Sequence, residues 1–275
     1  RNRVPGRRYH SETGCDIHDT TSEPLIYICI PAHDEAATVG VLMWKLRRVL
    51  GEFGRDYRIV VHDDASTDGT TEVLARYRRS LPLTILRSEE RRGYAGSVER
   101  LLRHVVAEAP YPKRDCAVIL QGDFTERPED VVTLVKILEG GADIVAGALP
   151  ADARALPRPM RLARKAARWV LGGVLREAPV SDPLSGLRAY RVIVLKKALR
   201  DIPEESPVVQ SDGWAANLEL LRLLAPHARR MPEAPLEMRY DLQVRPSRFR
   251  AVRTVLSLAR VRRGAWEQAL DAEVA

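Results

Sequence analysis

Between residues 25 and 148, short apolar runs alternate with longer stretches whose apolar residues recur at helical spacing. The runs at 25–31 (LIYICIP), 57–61, 83–86, 117–120 (AVIL) and 142–148 are short and carry apolar and β-branched residues, so they read as strands. Val39, Leu42, Met43, Leu46 and Leu50 fall on one side of a helix expected over 35–50. Further helices are expected near 71–79, 93–107 and 128–138. The last follows TERPED at 125–130, which offers a hydroxyl, early acids and an early proline, the marks of a helix start. Alternation with short links predicts α/β architecture: a mostly parallel sheet with helices on both faces.

After Pro150 the alternation stops. Residues 157–176 read as one basic amphipathic helix, with Met160, Ala163, Ala167, Val170 and Val174 along one side. The stretch SDPLSGLRAYRVIVL at 181–195 receives no element. A helix near 213–224, a strand near 234–240 and the basic segment RPSRFRAVRTVLSLARVRR complete the chain. Residues 1–23 are polar and aperiodic and are expected to form an arm.

Composition excludes several classes. A hydrophobic share of 45% and a charged share of 29% suit a water-soluble globular protein, and no apolar run approaches the roughly 18 residues of a membrane span. The start, RNRVPGRRYHSETG, lacks the apolar core of a secretory leader. Cys15, Cys29 and Cys116 are odd in number and have no metal-like spacing, so they read as free thiols in a reducing, cytoplasmic setting. The net charge of +7 is uneven, with dense Arg and Lys in residues 154–176 and 245–263, and by itself permits nucleic acid, anionic lipid or phosphorylated ligands. Aromatics are 5% and are not interleaved with the basic runs, which speaks against a nucleic-acid partner.

Four loops follow the carboxyl ends of expected strands: 31–35, 63–68, 91–96 and 121–125. In a parallel sheet they gather on one edge. Three carry acids: Asp34 and Glu35, then Asp63, Asp64 and Asp68, then Asp123. Such clustering needs a cation or hydrogen-bond donors to offset it, and Mg²⁺ with a phosphate is one natural solution. Asp68 is expected to cap a helix. The first strand carries neither GxGxxG nor GxxxxGK[ST], which disfavours dinucleotide and P-loop readings.

The succession IYICIPAHDE, IVVHDDASTDGT, RRGYAGS, VILQGDFTERPED and SDPLSGLRAYR resembles the family 2 glycosyltransferases of GT-A fold, and within them the dolichol-phosphate (polyprenyl-phosphate) mannose synthase branch. The resemblance covers roughly residues 24–255. It implies a Rossmann-like sheet in which residues 24–150 bind a nucleoside diphosphate sugar. Residues 151–275 would form the acceptor-side half of the same domain. Pro31, His33 and Glu35 stand where the family holds the base and ribose, and Asp63 and Asp64 where it reads the base. Gln121-Gly122-Asp123 stands at the family's Asp-x-Asp, so Asp123 and Gln121 would hold Mg²⁺ or Mn²⁺ against the diphosphate. Gln121 departs from the family acid, and Gln121→Asp is expected to keep or raise metal affinity.

Asp182, Ser185 and Arg188 resemble the acceptor-side D-x-x-SGFR, with Asp182 as a proton acceptor and Arg188 as a fork on a phosphate. Glu219 matches an acid on the following helix. Arg245, Ser247 and Arg248 resemble the R-G-x-S-K segment that folds over the diphosphate. The likeness implies inversion at the anomeric carbon and a polyprenyl phosphate acceptor, with the protein peripheral at the cytoplasmic membrane face. It also leaves room for a homodimer. A soluble or glycan hydroxyl acceptor, a nucleotidyltransferase and a nucleotide-sugar-binding relative with weakened turnover stay open at this point.

Overall fold

In the computed structural model, residues 24–149, 161–162, 164–166, 180–236 and 258 are described. β1 (Ile26–Ala32) leads into α1 (Ala36–Phe53), and β2 (Tyr57–Asp64) into α2 (Thr70–Tyr77). β3 (Leu83–Ser88) leads into α3 (Gly93–Glu108), and β4 (Cys116–Ile119) into α4 (Pro128–Glu139). Then come β5 (Ile144–Ala148), β6 (Arg188–Arg191), α5 (Val192–Leu199), α6 (Trp214–Leu224) and β7 (Glu233–Pro235). Among the described residues seven strands form one sheet, in the order β3-β2-β1-β4-β6-β5-β7. All are parallel except β6, which pairs antiparallel with both β4 and β5.

Strand alternation divides the core. Ile26, Ile28 and Ile30 face a cluster built with Val39, Leu42, Met43, Leu46 and Leu50 of α1, Leu74 of α2 and Val131, Leu134 and Val135 of α4. Tyr27 and Cys29 face the opposite cluster, with Leu101, Leu102 and Val105 of α3, Leu195 of α5 and Leu221 of α6. Each fully buried leucine or isoleucine contributes about 1.5–3 kcal/mol. Helices therefore cover both faces, as the alternation predicts. α1 ends where Gly54 turns left-handed (φ 68°) and its N–H closes on Leu50 O.

Two elements differ from expectation. β6 and α5 occupy the stretch to which the sequence reading gave no structure. β6 is RAYR, four residues of which two are arginines, so it never shows as an apolar run. Its alternation emerges in place: Ala189 joins one core cluster and Tyr190 the other. Arg191 points to the end of α4, where Nη2 donates to Leu138 O (2.6 Å) and Ala142 O (3.1 Å) and Nη1 to Lys113 O (3.0 Å). β7 overlaps the strand expected at 234–240, of which residues 237–240 lie outside the described set. So does most of the basic helix expected at 157–176.

Candidate functional site

The chain leaves β1 towards β2 and later crosses back to β4 on the other side, so the loops after β1 and β4 diverge. Open α/β sheets bind ligands at such a switch point, outside the carboxyl ends of the strands. Pro31 and Glu35 stand on one side of it, Gly122 and Asp123 on the other. Thr38 of α1 joins the two sides: its Oγ1 lies 3.0 Å from Glu35 Oε2 and 3.0 Å from Gly122 O. Gly122 is packed so closely that a Cβ there would stand 3.3 Å from Pro31 O and 3.5 Å from Glu35 Cγ.

The loop after β2 brings its acids to the same edge, each already met by donors. Asp64 accepts from the main-chain N–H of Arg92 (Oδ1, 2.7 Å) and Gly93 (Oδ2, 2.9 Å), which fixes the start of α3. Asp63 accepts from Ser66 N (3.1 Å) and pairs with the Thr71 hydroxyl. Asp68 receives Thr70 N (3.0 Å), the Thr70 hydroxyl (2.5 Å) and Ala36 N (2.9 Å), serving two helices at once. Burial would raise the Asp68 acid, but the Thr70 hydroxyl and these N–H groups together hold it below the usual carboxylate range. His33 places Nδ1 2.7 Å from Asp64 O and Nε2 3.2 Å from Asp34 Oδ2, bridging the two loops. Donors within the protein thus supply part of the compensation the clustered acids need.

Three non-glycine residues in the described set have positive φ: Asp34 (52°), Ala65 (55°) and Phe124 (63°). One lies in each of the loops after β1, β2 and β4. Left-handed backbone costs a non-glycine residue about 1–3 kcal/mol, and such strain gathers at working sites.

The turn after β4 is closely braced. Asp123 Oδ1 accepts from Thr125 N (3.1 Å) and Oγ1 (2.7 Å). Gln121 N donates to Glu126 Oε2 (2.9 Å), and Gln121 Nε2 lies 3.4 Å from Glu126 Oε1. Glu126 was missed in the sequence because it reads as one more acid at a helix start. It is 1% exposed. Burial pushes its acid up to about 8, with the Asp123 charge adding to the rise and the N–H groups of Gln121 and Leu187 opposing it.

Because β6 runs opposite to its neighbours, residues 182–187 enter it at this same edge. Asp182, 5% exposed, forms an ion pair with Arg164, whose guanidinium lies 6.0 Å from the centre of the Trp214 ring. Ser185 is buried and donates its N–H to Asp182 O (3.4 Å). Arg188 departs from expectation. It is fully buried within β6, where Nη2 donates to Pro183 O (2.9 Å) and Nη1 to Asn217 O, so its fork meets main-chain carbonyls rather than facing outward to a phosphate. Asn217 extends this brace, donating to Leu184 O (3.2 Å) and accepting from Tyr94 Oη (2.9 Å). A Cβ on Gly186 would come 3.1 Å from both Gln121 Nε2 and Tyr94 Oη, so the missing side chain lets these segments meet.

Glu219 accepts from Gln210 N (2.7 Å), Ser211 N (2.9 Å) and Ser211 Oγ (2.6 Å), and so shapes the loop before α6. Arg245, Ser247 and Arg248 lie outside the described residues. Cys29 and Cys116 are free and buried, as expected, and burial pushes the Cys116 thiol up to about 12. No described helix is long and apolar enough to cross a membrane.

Among the described residues, no three His, Cys, Asp or Glu side chains converge as a metal cage. The resemblance assigns a metal to Asp123 and Gln121, which would offer one carboxylate and one neutral amide. Such a pair would suit a hard cation drawing most of its ligands from a bound phosphate, since Mg²⁺ usually takes one or two carboxylates and substrate oxygens.

Two curated relatives share parts of the sequence. The undecaprenyl-phosphate 4-deoxy-4-formamido-L-arabinose transferase of Edwardsiella ictaluri is 26% identical over 187 residues, 66% of this chain and 54% of that protein. The dolichol-phosphate mannosyltransferase of Pyrococcus furiosus is 25% identical over 175 residues, 62% of this chain and 47% of that protein. The chain thus spans about half the length of these relatives. Among solved structures, glucosyl-3-phosphoglycerate synthase from Mycobacterium tuberculosis, in complex with Mn²⁺, UDP and glucosyl-3-phosphoglycerate, superposes with a TM-score of 0.53 at 19% identity. The match covers 86% of this chain and 76% of that one. That likeness extends to the fold, the mostly parallel Rossmann-like sheet of GT-A type. The model of glycosyl transferase family 2 matches residues 27–199, well over half the sequence, and the chain belongs to that family.

Proposed function

We propose that this chain transfers a sugar from a nucleoside diphosphate sugar, with UDP or GDP as the nucleotide, onto a polyprenyl phosphate. The observation that carries the reading is the meeting of Pro31, Glu35 and Gly122 across the switch point, joined by Thr38, with Asp123 the residue after Gly122. In this reading the β1 and β2 loops, with His33, Asp63 and Asp64, hold the nucleoside. Asp123 and Gln121 lie at its diphosphate. A bound Mg²⁺ or Mn²⁺ would neutralise the departing diphosphate. The remaining catalytic effect is positioning of the acceptor for attack on the anomeric carbon with inversion.

A lipid-phosphate acceptor agrees with the state of Asp182. Its carboxylate is engaged by Arg164, and an acceptor that is already anionic needs no strong base. The names of the two curated relatives point to the same acceptor class. Ser185 and the basic segment containing Arg245, Ser247 and Arg248 would serve the acceptor and the diphosphate.

The test is a hydrolysis panel of UDP- and GDP-sugars with Mn²⁺, for wild type and Asp123→Ala. We expect turnover of at least one donor, with a loss of about 100-fold or more in the variant and little change in thermal midpoint. Full activity in Asp123→Ala would remove its role. Flotation with anionic vesicles tests the acceptor: wild type should float, and failure to bind would count against a lipid. Gln121 favours one other reading, a nucleotide-sugar binder with weakened turnover. Calorimetry separates the two, because nucleotide binding indifferent to metal would select the binder.

A further inference from the structure

Gln121 is the residue at which this chain departs from the acid its family resemblance leads one to expect, and an acid stands against it. Glu126 lies five residues on, is 1% exposed, and turns both carboxyl oxygens to Gln121: Oε2 to the main-chain N–H (2.9 Å) and Oε1 to the side-chain Nε2 (3.4 Å). The Leu187 N–H, from the segment entering β6, donates to the same carboxyl. These partners are all donors, so the carboxyl works as an acceptor and selects which end of the Gln121 amide it meets. With NH₂ held towards Glu126, the amide oxygen is the end left for the switch point. Gly186 makes the junction sterically open, since a Cβ there would stand 3.1 Å from Gln121 Nε2 and 3.5 Å from Glu126 Oε1.

We infer that Glu126 is a positioning residue that orients the Gln121 amide beside Asp123 and ties that turn to the acceptor-side segment at Leu187. The inference deepens the proposed donor reading and depends on it for its meaning. It also changes the expectation for Gln121→Asp. An aspartate at 121 would replace the amide donor with a second carboxyl against Glu126, and would not simply restore a metal ligand. Glu126→Gln would reverse the Gln121 amide, because the new NH₂ must find an acceptor while its oxygen takes the Gln121 N–H. Together, the two substitutions restore a satisfied pair with the polarity of the 121–126 hydrogen bond reversed.

The experiment is a double-mutant cycle on wild type, Gln121→Asp, Glu126→Gln and the double variant. Calorimetry reads the affinity for UDP and for GDP with Mn²⁺, and thermal midpoints are taken without ligand. We expect each single variant to weaken Mn²⁺-supported nucleotide binding, and the double variant to bind about tenfold more tightly than the product of the single effects predicts. Additive affinities, or a Glu126→Gln variant indistinguishable from wild type, would overturn the inference even if the midpoints show coupling. If wild type binds neither nucleotide, the donor reading fails on its own. The ligand-free midpoints then decide the pair, with coupling supporting the positioning role and additivity removing it.

Discussion

His62 shows how one side chain carries a cost hidden in the fold. It is fully buried on β2, with Nε2 2.9 Å from Ser88 Oγ and no partner for Nδ1. Burial depresses its pKa from 6.5 to about 4, with Asp64 opposing the shift and Arg100 and Arg92 adding to it. Above pH 6.5 both folded and unfolded forms hold the ring neutral, and its packing contributes fully. As pH falls from 6.5 towards 4 the unfolded chain binds the proton first, so stability is lost through that window. The loss is on the order of 3 kcal/mol. Urea unfolding at both ends of the window should show this decline, and His62→Gln should flatten it; an equally steep decline in the variant would assign it to the carboxylates. Among the site residues, Asp123 and Glu35 were legible because they follow apolar runs. Glu126 and Asn217 were not, because their importance lies in partners 60 and more residues away, such as Leu187 and Tyr94.

At the scale of elements, β1 to β5 and α1 to α4 were legible because short apolar runs and helically spaced apolar residues show in the sequence itself. β6 was not, because its fitness for the sheet comes from its neighbours: Ile119 of β4 on one side and Ala146 of β5 on the other pair with Arg188. The β5–β6–β7 region is correspondingly tight. Gly147 donates to Leu187 O (3.0 Å), and a Cβ there would stand 2.4 Å from Leu236 Cδ1 and 2.7 Å from Leu187 O. Gly147→Ala should therefore destabilise by about 2 kcal/mol, read as a lowered urea midpoint with an unchanged slope. Because Leu187 O is main chain, relief would require β6 itself to shift, and nucleotide affinity should fall with stability.

For the whole molecule, the described strands that follow Pro150, β6 and β7, complete the sheet rather than standing apart. β6 sits between β4 and β5, and Arg191 binds that insertion to the opposite layer through Leu138, Ala142 and Lys113. Arg191→Met keeps much of the stem but leaves these carbonyls without a cationic donor. It should cost about 2–3 kcal/mol in unfolding free energy by calorimetry, and a loss below about 0.5 kcal/mol would show the bridge to be dispensable. Arg188 does something different from this same strand. Its cation is sealed inside the protein beneath the loops that meet at the switch point. Mobile ions screen exterior charges over roughly 8 Å at physiological ionic strength but do not enter a dry interior. The attraction between Arg188 and the carbonyls of Pro183 and Asn217 therefore persists in brine that would silence an arginine on the outside.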